Sequence, residues 1–241
     1  MAASGLLADL LAAVPMIVPS LLAADLGDLR GEIRRLEEAG AGMFHLDIMD
    51  GHFVPNLSFG VPVVEAVRRA TELPLDVHLM ISDPAKYVRA FREAGANGIT
   101  IHVEAVPDPT PLLEEIRGLG AYAGIAMNPP TPAEAVLPCL GHCDLVLTMS
   151  VMPGFGGQEF HPEALPKLRR LRAAIGDEAL LSVDGGVNHQ TIAACAEAGA
   201  MLFVVGTGLL GHPDYRRRLA ELTALARSTY QQRAEPWYKS Y

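Results

Sequence analysis

Residues 44–56 read FHLDIMDGHFVPN, and their pattern indicates a buried β-strand that ends in polar residues. Side chains two positions apart point to the same face of a strand, so His45, Asp47 and Met49 share one face while the opposite face is hydrophobic. Burying an ionisable side chain is costly unless it is paired or binds a ligand. This strand is therefore predicted to carry a site at its end as well as part of the core.

Two later stretches repeat the pattern. In residues 75–80, LDVHLM, the side chains of Asp76 and His78 share one face, and in residues 181–184, LSVD, Ser182 and Asp184 do so. Two histidines and two carboxylates from three strands can thus converge, and such a mixed nitrogen and oxygen set suits a divalent transition metal. The alternative, in which each polar side chain separately caps a loop or satisfies a buried backbone group, stays open on spacing alone.

Short hydrophobic, β-branched runs alternate along the whole chain with longer segments of helical periodicity. Eight such units are present, and the strands are predicted to begin near Ile17, Phe44, Leu75, Ile99, Tyr122, Leu145, Leu180 and Leu202. A spacing of roughly 22 to 35 residues is the size of one strand with one helix. An open sheet usually has fewer strands and edges to protect, so the pattern predicts an α/β fold, a single-domain (β/α)8 TIM barrel.

We expect one domain over residues 1–241, with residues 1–15 and about 229–241 as terminal extensions. Helices are predicted from hydrophobic residues at three-to-four spacing, and one of them carries Leu26, Leu29, Ile33 and Leu36. Several helical segments end in Ala-Gly, as in EEAGA, REAGA and AEAGA, where glycine takes the left-handed conformation that ends a helix. In such a barrel the site lies where the strands end and the loops begin.

Composition and charge exclude several functional classes. The net charge of −9 argues against nucleic acid and anionic membranes as partners, because both require a basic surface. The three cysteines, Cys139, Cys143 and Cys195, form no disulfide framework and suit a reducing compartment. The apolar N-terminal segment has no basic leader, and no hydrophobic run reaches membrane-spanning length. We therefore expect a cytoplasmic homo-oligomer without nucleic-acid or membrane partners.

Two glycine-rich loops predict a phosphate site. Residues 152–160, MPGFGGQEF, and residues 204–215, VVGTGLLGHPDY, each follow a predicted strand and lead toward a helix. Backbone N–H groups at a helix start bind phosphate, and glycine lets the anion approach closely. None of the three lysines, Lys86, Lys167 and Lys239, lies in these loops, so backbone dipoles would hold the anion. The alternative is that both loops are only tight turns.

Taken in order, the motifs resemble those of the ribulose-phosphate 3-epimerase family. They are VPSLLAADL, HLDIMDGHFVPN, DVHLMI, AGANGITIHVEA, MNPPTP, SVMPGFGGQEF, SVDGGVN and VVGTG, and the resemblance extends from about residue 17 to residue 210. It implies a metal-dependent isomerase of carbohydrate metabolism that interconverts D-ribulose 5-phosphate and D-xylulose 5-phosphate in the pentose phosphate pathway. The C3 proton would be removed and returned through a metal-stabilised enediolate.

The resemblance also implies roles for individual residues. His45, Asp47, His78 and Asp184 would bind one divalent ion, which is iron(II), zinc, manganese or cobalt, and Asp47 and Asp184 would also be the catalytic acid and base. Ser20 would contact the substrate, together with His78 and Asp184. The remaining substrate-binding positions, chiefly for the phosphate, are Gly154, Phe155, Gly156, Gly157, Gly185, Gly186, Gly206 and Thr207.

Other residues and functions stay open at this point. Met49, Met80 and Met149 are predicted at the same barrel mouth, either as plain core or as a wall that excludes water. His102 and Glu104, at the end of the fourth strand, are candidates for supporting groups that spacing alone does not assign. The alternative functions are a D-allulose 6-phosphate 3-epimerase, which resembles this family motif for motif, and a noncatalytic phosphosugar-binding barrel.

Overall fold

The computed structural model of the protein describes residues 3–176 and 179–233. Within these ranges lie eight parallel strands, each of which begins within one residue of its predicted position: β1 (Met16–Pro19), β2 (Phe44–Met49), β3 (Leu75–Met80), β4 (Gly98–His102), β5 (Tyr122–Met127), β6 (Leu145–Met149), β7 (Leu180–Asp184) and β8 (Leu202–Val205). The predicted strand pattern is therefore confirmed.

The strands form one sheet that curves into a nearly closed barrel. Neighbours in sequence pair from β2 to β8, and β1 pairs with β8. Between β1 and β2 the described chain has an isolated parallel bridge, which joins Ser20 to His45. The predicted single-domain α/β barrel is confirmed, and its closing seam lies directly beside the polar end of β2.

Helices cover the outside of the barrel, and their bounds are α1 (Ala3–Ala13), α2 (Leu29–Ala39), α3 (Val61–Arg68), α4 (Val88–Glu93), α5 (Thr110–Gly118), α6 (Ala164–Ile175), α7 (Ile192–Ala198), α8 (Thr207–Leu210) and α9 (Tyr215–Arg233). The three Ala-Gly endings behave as predicted, because Gly40, Gly95 and Gly199 all have positive φ angles between 104° and 113°. Short 3-10 turns occupy several of the loops.

The connection from β5 to β6 departs from the predicted strand-helix unit. Two 3-10 turns, Ala133–Ala135 and Leu137–Cys139, stand where an α-helix was expected. Residues 128–132 read NPPTP, and Pro138 lies within the second turn. Proline lacks the N–H group that an α-helix interior requires and its ring clashes with the preceding turn, so the segment folds as short turns instead.

The predicted helix that included Leu26 begins later than expected. Asp25 accepts a hydrogen bond of 2.9 Å from the N–H of Gly27, which stabilises a separate 3-10 turn over Leu26–Asp28. Asp28 then caps α2 by accepting from the N–H of Gly31 at 3.2 Å. Leu26 therefore lies outside the helix, and its side chain is 56% exposed.

The core lies inside the barrel and between the strands and the surrounding helices. On α1, the side chains of Leu6 and Leu10 are buried within this core, and the helix contacts β5. Among the described residues no helix combines the length and hydrophobicity needed to cross a bilayer. The assignment of residues 1–15 and about 229–241 as extensions of one domain stays a prediction, and residues 234–241 lie outside the described ranges.

Candidate active site

The carboxyl ends of three strands bring the predicted polar residues together. In the register of β2 and β3, His45 lies opposite Asp76, and Asp47 lies opposite His78. Asp184 ends β7 and pairs in register with Met149 of β6. Because alternate residues of a parallel barrel strand point inward, each of these side chains is directed toward the same interior space.

Four of the side chains form a compact cluster. Each of His45, Asp47, His78 and Asp184 offers one ligand atom, and these atoms all lie within 4.8 Å of one another. Asp47 Oδ1 lies 3.2 Å from His45 Nε2 and 3.1 Å from His78 Nδ1, while the two histidine nitrogens are 3.3 Å apart. The convergence of the four residues is therefore present in the structure.

The distances within the cluster fit a common metal ion. Neighbouring ligand atoms bonded to one ion at about 2.1 Å lie roughly 3.0 to 3.4 Å apart in octahedral or tetrahedral coordination. Asp76 Oδ2 lies 2.7 Å from His45 Nδ1, and a carboxylate only accepts, so His45 carries a proton on Nδ1. In the neutral ring, Nε2 then carries a lone pair, and this atom faces Asp47 Oδ1. Two electron-rich atoms at this distance repel each other unless a proton or a metal ion lies between them.

Burial and mutual charge perturb the pKa values of these groups. Burial alone would raise the pKa of Asp47, but the charge of His45 and the hydrogen bond from it hold this pKa well below its usual range. Burial would lower the pKa of His45, and the charge of Asp47 with hydrogen bonds to Asp47 and Asp76 raises it well above normal instead. In the absence of a metal, a proton on His45 thus supplies the positive charge that the cluster requires.

Asp184 and His78 are shifted mainly by burial. Burial and the nearby charge of Asp47 raise the pKa of Asp184 to about 7. Burial also lowers the pKa of His78 to about 4, with a further contribution from neighbouring histidines. Carboxylates crowded in this way favour a bound cation, and a neutral imidazole is the form that binds metal.

Ser20 fixes the other oxygen of Asp47. Its Oγ donates a hydrogen bond of 2.6 Å to Asp47 Oδ2, while Asp47 Oδ1 faces the two histidines. The hydroxyl of Ser58, in the loop after β2, donates to the backbone carbonyl of Asp47. Both ends of the Asp47 residue are therefore held in place, and Ser20 has a partner that sequence reasoning did not assign to it.

A cavity of about 400 Å³ opens beside the cluster and contains most of the predicted substrate-binding residues. Its lining includes Ser20, Asp47 and Asp184. The glycine-rich loops also line it, and they contribute Gly154, Phe155, Gly156, Gly157, Gly185, Gly186, Gly206 and Thr207. His45 and His78 are fully buried and are not among the residues that line it. No lysine or arginine of the described chain lines the cavity.

The loop after β6 is held against the loop after β2. Asn56 Nδ2 donates a hydrogen bond of 2.6 Å to the carbonyl oxygen of Gly154, and Gln158 Nε2 donates within its own loop to the carbonyls of Met152 and Phe155. The sequence did not indicate this contact, since Asn56 and Gly154 are 98 positions apart.

The three methionines lie in the wall of the same cavity. Met49, Met80 and Met149 are each at most 5% exposed and all line it. Met49 and Met80 pack with Val54 in a small hydrophobic cluster, separate from the main core, against which Phe53 also packs. These side chains make part of the cavity wall apolar.

Two sets of residues contact the histidines of the cluster in a way that the sequence alone does not predict. Asp76 was seen only as part of an alternating pattern, yet it determines which nitrogen of His45 carries a proton. His102 and Glu104 were candidates without a role, and the structure places His102 Nε2 at 2.8 Å from His78 Nε2. Their i, i+2 spacing at the end of β4 was the available signal, but their partner lies on another strand.

A family model and several known proteins match most of the chain. The family model described as the ribulose-phosphate 3 epimerase family matches residues 16–210. The ribulose-phosphate 3-epimerase of Bacillus subtilis (strain 168) is 43% identical over 210 residues, which cover 86% of this chain and 97% of the relative. That of Mycobacterium bovis is 46% identical over 211 residues, covering 86% and 91%.

Solved structures share the fold at low sequence identity. A tryptophan synthase structure from Mycobacterium tuberculosis is similar with a TM-score of 0.67 and 17% identity, and the match covers 92% of this chain and 98% of that one. At this identity the similarity supports the barrel architecture alone.

Proposed function

Because this chain belongs to the ribulose-phosphate 3-epimerase family, it is an isomerase that acts on a carbohydrate, and we propose that His45, Asp47, His78 and Asp184 bind its one divalent metal ion. The chain interconverts D-ribulose 5-phosphate and D-xylulose 5-phosphate in the pentose phosphate pathway. The relatives have the pentulose phosphate activity in their names, so the alternatives of a hexulose phosphate epimerase and a noncatalytic barrel gain no support.

The metal assignment depends mainly on one observation. His45 Nε2 and an Asp47 oxygen lie 3.2 Å apart in a buried site, and a nitrogen of His78 lies 3.1 Å from the same oxygen, so all three atoms are within reach of one ion. A divalent ion at this point would polarise the C2 carbonyl and C3 hydroxyl oxygens of the sugar as a Lewis acid. The donor set suits iron(II), zinc, manganese or cobalt.

We assign Asp47 and Asp184 as the acid and base that move the C3 proton. Inversion at C3 requires removal of a proton from one face and delivery of a proton to the other. The two carboxylates line the cavity from β2 and β7, which lie apart in the strand order of the barrel. Ser20 supports this role because its hydroxyl holds one oxygen of Asp47 at the cavity surface.

The glycine-rich loops that line the cavity would hold the phosphate of the substrate. With no lysine or arginine of the described chain in its lining, the anion would bind to backbone N–H groups of the loops after β6, β7 and β8. Binding energy from this remote group would position the reacting carbon against the carboxylates. The wall of Met49, Met80 and Met149 would exclude water from the reacting centre.

A chelation and reconstitution experiment tests the metal. Removal of metal should abolish epimerisation of D-ribulose 5-phosphate, and addition of iron(II), manganese, cobalt or zinc should restore it. Elemental analysis of protein purified without added metal would identify the ion that it carries. Full activity in protein that elemental analysis finds free of metal would contradict the proposed site.

We also propose a cytoplasmic location, a homo-oligomeric assembly and no nucleic-acid partner. Three free cysteines that are all buried fit a reducing compartment, and a net charge of −9 disfavours polyanions. Fractionation of cells, light scattering of the purified protein and a DNA-binding titration at low salt would test these three points separately.

A further inference from the structure

His78 is joined to a second histidine and a glutamate, neither of which lines the cavity. Its Nε2 lies 2.8 Å from Nε2 of His102, and Nδ1 of His102 lies 3.1 Å from Oε2 of Glu104. His78 and His102 are both fully buried, and their ring centroids lie 5.0 Å apart with the ring planes inclined by 22°. Phe53 packs against His102 with a centroid separation of 4.9 Å, so packing also restricts the ring.

The donors and acceptors of Glu104, His102 and His78 determine which ring nitrogens carry protons. A carboxylate only accepts, so Glu104 requires a proton on His102 Nδ1. Neutral His102 then has a bare Nε2, which accepts, and the short contact requires that His78 Nε2 donates. With its proton on Nε2, His78 has a lone pair on Nδ1, the atom that faces Asp47 Oδ1 at 3.1 Å.

We propose that Glu104 and His102 are positioning residues for the metal centre: they hold His78 in the tautomer that leaves Nδ1 free to bind the ion. The inference rests on the proposed metal site and extends it to residues that touch neither substrate nor ion. It parallels the role of Asp76 at His45, except that the carboxylate acts through an intervening imidazole.

The hydrogen bonds around Glu104 determine which of its carboxylate oxygens accepts from His102. Oε1 accepts a hydrogen bond of 2.7 Å from the N–H of Asn128 and another from the Thr131 hydroxyl, which leaves Oε2 for His102. Lys167 on α6 holds the same loop by donating to the carbonyl oxygens of Asn128 and Thr131 at 3.1 and 2.5 Å. The loop after β5 therefore orients the carboxylate.

This arrangement makes Glu104→Gln a sharp test. The amide oxygen would remain with the two donors of the β5 loop, and the NH2 group would face His102 Nδ1. His102 would then shift its proton to Nε2, and His78 would have to carry its proton on Nδ1, where it blocks the ion. We expect the dissociation constant for zinc to rise about 10- to 100-fold.

Two further variants separate this effect from a loss of structure. Lys167→Met loosens the same loop but keeps the carboxylate of Glu104, so the His102 tautomer should stay as in the wild type and zinc affinity should fall less than in Glu104→Gln. In the double variant Glu104→Gln with His102→Gln, the second amide can rotate to present its oxygen to His78 Nε2–H. That variant should bind zinc more tightly than Glu104→Gln alone, a rescue that general loosening would not produce.

Zinc affinity is measured by competition with a chelator, and the tautomers by long-range nitrogen-proton NMR spectra of zinc-loaded and metal-free protein. A protonated His102 Nδ1 in the wild type that becomes a protonated Nε2 in Glu104→Gln supports the inference. The same His102 tautomer in both proteins, or equal zinc affinity, overturns it. If the wild type binds no metal, the proposed site fails, while the spectra of metal-free protein still decide whether Glu104 sets the tautomer.

Discussion

Ser20 and Asp47 are joined by a hydrogen bond of 2.6 Å across the seam where β1 meets β2. The backbone bridge at this seam also involves Ser20, which pairs with His45. One residue thus links the closure of the barrel to the position of the carboxylate that we assign to proton transfer. The hydroxyl occupies Oδ2 of Asp47, so Oδ1 remains directed at the two histidines.

Replacing Ser20 by alanine should therefore lower kcat about 10- to 100-fold, because a misplaced proton-transfer group costs catalysis on that scale. Metal content should stay near that of the wild type, since Asp47 Oδ1 keeps its contacts. Ser182→Ala is the matched control: Ser182 is also buried, its Oγ has no hydrogen-bond partner within the described ranges, and it does not line the cavity. Equal kcat values for the two variants would contradict the role of Ser20.

The alternating pattern made much of the fold and the site predictable. Period-two alternation with ionisable residues on one face is rare in buried strands, so it identified β2, β3 and β7 together with the faces that carry His45, Asp47, His78 and Asp184. The spacing of the remaining hydrophobic runs then gave the number of strands. Local sequence was sufficient because each of these features belongs to a single strand.

Features that depend on contacts between distant segments could not be predicted in this way. The Ser20 to Asp47 bond spans 27 positions, and the contact of His78 with His102 spans 24. Their existence depends on how β1 meets β2 and how β3 pairs with β4, which only the folded barrel determines. The prediction of an α-helix between β5 and β6 was wrong for a local reason, because the prolines of this segment favour short 3-10 turns.

Gly98 is expected to be essential for stability. It begins β4, and a Cβ atom at this position would lie 1.8 Å from the ring of Tyr122, which is fully buried in the adjacent strand. The ring has no room to move within a packed barrel, so Gly98→Ala should lower the free energy of unfolding by about 3 kcal/mol or more. Urea denaturation followed by circular dichroism measures this change.

The matched control is Gly118→Ala at the end of α5, where a Cβ atom would have no neighbour within 4 Å. Alanine restricts the unfolded chain and favours the helix, so this variant should be unchanged or more stable by up to about 1 kcal/mol. If both variants shifted the denaturation midpoint equally, the clash with Tyr122 would not be the cause.

Because of Glu104, the free energy of unfolding of the metal-free protein should decrease as the pH becomes acidic. Burial opposes its ionisation, but hydrogen bonds from His102, Thr131 and the N–H of Asn128 lower its pKa to about 2, from an ordinary value of 4.5. A depressed pKa stabilises the fold above pH 4.5, and this contribution is lost as the pH falls toward 2. The charges of Lys167, from α6, and of this carboxylate interact.

Glu104→Gln should accordingly be less stable than the wild type at neutral pH, by about 1 to 3 kcal/mol after allowance for partial exposure of the side chain. The difference between the two proteins should shrink as the pH falls below the usual glutamate range. Denaturation curves of both metal-free proteins at a series of pH values provide the test, and a difference that stayed constant at every pH would show that ionised Glu104 is not responsible.

The assignment of Asp47 and Asp184 to opposite faces of one carbon gives them separable duties. Replacing either residue by asparagine removes a proton carrier but keeps an oxygen that can approach the metal, so net epimerisation should collapse in both directions. The remaining carboxylate could still remove the C3 proton from the one epimer that presents it on that side. Each variant should thus exchange C3 hydrogen with heavy water in one pentulose phosphate only.

The epimer that exchanges should differ between Asp47→Asn and Asp184→Asn, because each variant keeps the carboxylate on the opposite side. NMR of each substrate in heavy water measures the exchange. Metal content must be determined in parallel, since both residues belong to the proposed ligand cluster and loss of the ion would silence both reactions. Metal-loaded variants that exchange the same epimer, or that epimerise at the wild-type rate, would show that these two aspartates do not act as opposed acid and base.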